Sequence, residues 1–225
     1  MGDFMYKYKT LMIIMFFLLV IGLSKVNASI NDYSLLNKVI YLDAGHGGID
    51  CGATSKYIIE SELNLEIVKL LESELVKKGA YVLLTRNGDY DLATSSYNRK
   101  RSDLYNRAKL INDSKASLYI SIHLNSTTDS RWNGIQVFYD SINVNNKDVA
   151  KVITDSMRLN MKNIRDYKKE NGYYMYSKIN DVPGVLIEAG FISNANDNYK
   201  LRQDNYKKIL VKNISIGIDN YFNNK

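Results

Sequence analysis

Short runs of apolar and β-branched residues recur along the chain, and the intervals between them carry apolar residues at helical spacing. The strand-like runs are Val39–Asp43, Ala80–Thr85, Leu118–Ile122, Gly134–Tyr139 and Val185–Glu188. Between the first two, Leu63, Ile67, Leu70, Leu71 and Leu75 fall on one helical face from Glu62 to Lys78. Lys77 and Lys78 suit a helix C-terminus, and Gly79 can cap it. Further helices are expected from Asp103, as N-cap, to Asn112, from Lys147 to Met161, and from Tyr206 to Tyr221. Such alternation predicts an α/β fold: one domain with a twisted, mostly parallel or mixed central sheet of about six strands and helices on both faces. With 225 residues and one proline, the chain suits a single core and shows no proline-rich linker. The polar stretch Asn87–Arg101, with Gly88, Asp89, Ser95 and Ser96, reads as a long surface loop.

The N-terminus follows other rules. Lys7 and Lys9 precede an apolar run from Leu11 to Leu23, and Val26-Asn27-Ala28 follows. Basic, apolar, then small residues at −3 and −1 is the layout of a secretory signal, with cleavage expected after Ala28. A retained membrane anchor is the rival, although the run is short against the roughly 20 residues that span a bilayer. The expected organisation is therefore a signal or anchor over 1–28 and a catalytic domain over 29–225, working outside the cytoplasmic membrane. The whole chain carries a formal charge of +6; residues 1–28 hold Lys7, Lys9, Lys25 and Asp3, so the remainder carries +4. A mildly basic exported domain is drawn to anionic polymers such as cell-wall material. No basic run with interleaved aromatics points to nucleic acid, and Arg99-Lys100-Arg101 reads as part of a solvated loop. One cysteine, Cys51, excludes an internal disulfide framework and reads as a small packed side chain more readily than as a metal ligand.

The chain has two histidines, and each follows a strand-like run: His46 after Val39–Asp43, and His123 after Leu118–Ile122. Strand ends are where α/β sheets place ligands and chemistry. Two imidazoles and one carboxylate make a zinc site with an open position, which lowers the pKa of water and polarises a carbonyl. Glu60 and Glu62 both lie ahead of the first long helix, and spacing does not choose between them. Glu188 ends the apolar run Val185-Leu186-Ile187, where a carboxylate is costly without a partner. A general acid/base beside a metal satisfies that need; a salt bridge or a helix cap would also.

The motifs carry a resemblance. Leu42-Asp43-Ala44-Gly45-His46-Gly47-Gly48 resembles the first zinc motif of the zinc-dependent N-acetylmuramoyl-L-alanine amidases, the type 3 peptidoglycan amidases. Glu60-Ser61-Glu62-Leu63-Asn64-Leu65 is similar to the second, Ser121-Ile122-His123-Leu124-Asn125 to the third, and Val182 through Asn194 to the catalytic-glutamate segment. Thr85-Arg86 and Arg107-Ala108 through Asn112 resemble the stretch that leads to the third motif. The four motifs stand in family order over Val39 to Leu201.

The resemblance implies one Zn2+ held by His46, Glu60 and His123, with Glu188 as catalytic base and with Asn125 and Arg86 binding substrate. It implies hydrolysis of the amide joining the lactyl group of N-acetylmuramic acid to the L-alanine of the stem peptide. Peptidoglycan strands with stem peptides are then the macromolecular partner, met in an open groove; Tyr173, Tyr174 and Tyr176 are candidates to line it, and a tyrosine stripe reads at least as readily as packing. Cys51 stands where many relatives have proline, and Gln136 where glutamate is common, departures that bear on substrate fine-tuning. A signal followed by one catalytic domain looks like the spore-cortex amidases, which strip stem peptides so that muramic-δ-lactam forms. That kinship implies a location in the forespore–mother cell intermembrane space or the cell wall. Some members need an activating exported protein or lipoprotein. A vegetative autolysin, a silent wall-binding module, and a zinc peptidase or deacetylase acting on another bond of the same polymer are the rival expectations.

Overall fold

The computed structural model describes residues 11–21 and 33–223. The expected cleavage site after Ala28 lies outside the described residues. Residues 11–21 form a helix whose side chains are exposed all round. No described helix is long and apolar enough to cross a membrane.

Among the described residues six strands make one sheet: β1 (Val39–Ala44), β2 (Tyr81–Leu84), β3 (Leu118–Asn125), β4 (Gln136–Tyr139), β5 (Lys168–Lys169) and β6 (Gly184–Phe191). Their order is β2-β1-β3-β6-β4-β5. β1, β2, β3 and β6 run parallel, β4 is antiparallel to β6, and β5 is parallel to β4. Five helices belong to the body: α1 (Glu60–Lys77), α2 (Arg99–Ser114), α3 (Asn146–Asn160), α4 (Ala195–Leu201) and α5 (Asp204–Asn223). The α/β class, the single mixed sheet and the two helical layers agree with the sequence reading.

Alternation along the strands sorts the two faces. Ile40, Leu42, Ile120, Ile122, Val185 and Ile187 point to one side, where they pack with Ile67, Leu71 and Leu75 of α1, Ile153 of α3 and Ile214 of α5. The other side carries Tyr41, Tyr119 and Leu186 against Ala108 and Ile111 of α2 and against Tyr176 and Ile179. On this second face the apolar character stops toward the C-terminal strand ends. There the same alternation presents Asp43, Ser121, His123 and Glu188, so one side of the sheet turns from core to site along its own length.

Several boundaries differ from expectation. Arg99-Lys100-Arg101 belongs to the first turn of α2 and not to a loop. Asp103 is no N-cap: it lies inside α2, buried, accepting from the Leu92 N–H at 2.7 Å and from Arg107 Nε at 2.9 Å. The stretch before α2 is strapped to it, since the Thr94 N–H donates to Ser102 Oγ at 3.0 Å and Asn106 Nδ2 to the Leu92 carbonyl at 2.6 Å. Helix α1 starts at Glu60, two residues earlier than its apolar spacing suggested, with Glu60 and Glu62 in a first turn where negative charge is favoured.

Candidate active site

His46, Glu60 and His123 come together although the first and last lie far apart in the sequence. Their ligand atoms lie within 4.8 Å of one another. Glu60 sits between the imidazoles, with Oε1 at 3.1 Å from His46 Nε2 and 3.2 Å from His123 Nδ1. The Leu124 N–H donates to the same oxygen at 3.1 Å, and the Ala53 N–H to Oε2 at 2.8 Å. Burial alone would raise the Glu60 carboxyl; the His123 and His46 contacts outweigh it and hold the group well below its usual range. Glu62 is exposed and stands outside the cluster, so of the two carboxylates that spacing left open only Glu60 meets the imidazoles. Cys51 is exposed, free and outside the cluster.

Backbone geometry makes this approach possible. His46 lies two residues beyond β1 with φ of +61°, a left-handed conformation that costs a non-glycine residue of order 1–3 kcal/mol. Two buried guanidiniums hold the turn. Arg107 donates to the carbonyls of Ala44 and His46, both at 2.7 Å, and Arg86 to those of Ala44 at 2.9 Å and Gly45 at 3.0 Å. Gly45 has no alternative, because a Cβ there would lie 2.2 Å from the His123 ring. Gly52, at φ of +69°, likewise leaves room for Glu60 Oε2, which a Cβ would meet at 2.6 Å. Asp50 Oδ2 accepts from His46 Nδ1 at 3.0 Å, leaving Nε2 to face Glu60. Burial lowers the His46 pKa, yet Glu60 and Asp50 together raise it on balance.

Arg86, expected to meet substrate, is instead enclosed behind the turn. It is 1% exposed and its guanidinium also donates to the carbonyls of Gly88 at 3.0 Å and Ser61 at 2.7 Å. It is a positioning residue for the His46 turn. Arg107 enters the sequence reading only within a motif, and Asp50 not at all. The signals that could have found them are a carboxylate four residues after a histidine and an Asp103/Arg107 pair one helical turn apart.

Glu188 stands beside His123 as its register partner on the neighbouring strand. Its Oε2 is buried and has no hydrogen-bond partner among the described residues. Burial pushes the carboxyl up to about 7; Glu60 adds to the rise, while His123 and His46 oppose it. The three candidate ligands, Glu188, Asn125 and Tyr173, Tyr174 and Tyr176 all line one cavity of about 360 Å³. Tyr176 is mostly core, since it stacks on Tyr119 with centroids 6.1 Å apart and donates to Ser121 Oγ at 3.0 Å. Tyr173 and Tyr174 reach the cavity from partly open positions.

Two imidazoles, one carboxylate held ionised and a second, orphaned carboxylate in the same cavity fit a single divalent cation with an adjacent general base. A profile of the N-acetylmuramoyl-L-alanine amidases matches residues 40–220. The chain belongs to this family. Among curated relatives, the germination-specific N-acetylmuramoyl-L-alanine amidase of Bacillus subtilis (strain 168) is 39% identical over 230 residues, covering 97% of each chain. Among solved structures, the CwlD amidase from Clostridioides difficile in complex with the GerS lipoprotein superposes with a TM-score of 0.79 at 34% identity. The match covers 84% of this chain and all of that one. An N-acetylmuramoyl-L-alanine amidase from Clostridium difficile 630 gives 0.74 at 29%, covering 84% of this amidase and 98% of that chain.

Proposed function

We propose that this amidase is zinc-dependent, with His46, Glu60 and His123 as the ligands and Glu188 as the general base. One observation carries the reading: Glu188, buried and unpaired through Oε2, faces the same cavity as the three ligand atoms. A zinc ion held there supplies Lewis acidity toward the lactyl carbonyl and toward water. The remaining work belongs to the protein. Glu188 takes the proton of the attacking water as its oxygen bonds to the lactyl carbon, then hands that proton to the L-alanine nitrogen as the C–N bond breaks. Burial, which raises the Glu188 carboxyl from its ordinary value, favours the second transfer, and the bound cation favours the first. Asn125, at the cavity wall beside His123, contacts the muramyl amide or its acetamido neighbour. The products are a lactyl carboxylate on the glycan and a stem peptide with a free amine.

The polymer we assign is spore-cortex peptidoglycan, with stem-peptide removal as the step toward muramic-δ-lactam. The support is the 39% identity to a germination-specific amidase over 97% of both chains. We assign export through residues 1–28, by cleavage or as an anchor, to the forespore–mother cell intermembrane space or the wall. The neighbour solved with a lipoprotein supports an activating exported partner here.

The test is mass spectrometry of cortex and vegetative peptidoglycan treated with the zinc-loaded protein and with Glu188→Gln. Stem peptides beginning at L-alanine, released from cortex and lost in the variant, are expected. Split peptide bonds with the lactyl amide intact would sink the amidase chemistry. Equal release from both polymers would remove the cortex assignment alone.

A further inference from the structure

The active-site cavity does not end at the metal ligands. Lys100, Leu104 and Tyr174 line both that cavity and an adjoining open trough of about 500 Å³, whose other walls are Tyr97, Asn98, Arg99 and Arg101. The cations here are not equivalent. Arg99 is committed to Asp91, at 2.9 and 3.0 Å, and Lys100 lies 3.4 Å from Asp50. Arg101 and Lys178 form no ion pair with any described carboxylate. Instead both converge on one ring: the Arg101 guanidinium sits 4.6 Å and the Lys178 ammonium 5.6 Å from the centroid of Tyr174.

Stacking on an aromatic face fixes a guanidinium while leaving its in-plane N–H fork free, and that fork matches a carboxylate in bidentate fashion. The substrate is charged on one side only. Its amino sugars are neutral, whereas the stem peptide carries carboxylates. We propose that Arg101, seated on Tyr174 and assisted by Lys178, is a specificity-determining residue that binds a carboxylate of the stem peptide beyond the scissile amide. The proposal rests on the amidase reading and adds which arm of the substrate lies in the trough.

Steady-state hydrolysis by the metal-loaded full chain tests it, with two soluble muramyl peptides: one with free carboxylates and one with every carboxylate converted to carboxamide. The wild type should show a KM roughly three- to ten-fold lower for the free-acid peptide, the size of a partly exposed charge-assisted pair. Arg101→Ala should bring that KM up to the carboxamide value with kcat kept, and Arg101→Lys should recover part of the difference. Raising salt to about 0.5 M should narrow the gap for the wild type and leave Arg101→Ala unmoved. Equal KM values for the two peptides in the wild type would overturn the proposal, as would an Arg101→Ala effect of the same size on both. Release of peptide from neither substrate would instead point to the activating partner proposed above; dissociation constants of the two peptides for zinc-loaded Glu188→Gln then decide, and equal values would overturn the proposal.

Discussion

At the scale of single residues, the site separates the atoms proposed to hold a cation from atoms that orient them. Asp50 belongs to the second kind, since its carboxylate receives His46 Nδ1 at 3.0 Å and turns Nε2 toward the cluster. Asp50→Ala should weaken zinc binding about 10- to 100-fold, as lost outer contacts do elsewhere, and competition with a chromogenic chelator measures it. Glu188→Gln should cut kcat by roughly 100- to 10,000-fold while zinc affinity stays near the wild-type value. A general base works only when ionised, so kcat/KM should rise with pH as Glu188 loses its proton. Without metal its carboxyl is pushed up to about 7, and a neighbouring cation lowers it, so the rise should centre below 7. A pH profile shows this limb, and Glu188→Gln should lack it.

At the scale of elements, the turn after β1 depends on a buried network between β1, β3 and α2. Arg107 Nη1 pairs with Asp43 at 2.8 Å, and Asp43 also accepts from Thr85 and Ser121. Arg107→Met leaves Asp43 ionised and buried without its cation. A loss of about 3–5 kcal/mol is expected by chemical denaturation, with the His46 turn loosened first. Burial raises the Asp43 pKa, but Arg107 and the hydroxyl bonds overcome it and set the folded value below 3.8. A depressed folded pKa means the contribution is whole above 3.8 and fades as pH falls through the folded value. Acid titration of stability should therefore show an added loss below about pH 4 in the wild type, absent in Asp43→Asn. Much of this scale was legible: strands and helices follow alternation and helical spacing, both local properties. Asp103 and the start of α2 were not, because polar residues buried in a network look the same in sequence as polar residues in water. Likewise, Arg86 reads as a free cation until the carbonyls that occupy it fold around it.

At the scale of the whole molecule, a cation bound only by the folded state adds stability by mass action. Free zinc at 100 times its dissociation constant contributes about 2.7 kcal/mol, which for a domain of this size raises Tm by about 5–10 °C. Differential scanning calorimetry with and without a chelator should show that shift, and His123→Ala should abolish it. Connectivity has a further effect. β6 is the last strand in sequence, yet it lies inside the sheet, between β3 and β4. A chain emerging from its N-terminus holds all three proposed cation ligands once residue 123 has appeared, but the slot between β3 and β4 stays open until Gly184–Phe191 arrives with Glu188. The proposed general base is thus withheld from any chain that has not yet reached this strand. On the export route proposed above, the enzyme cannot cut wall material until this strand has crossed the membrane and entered the sheet.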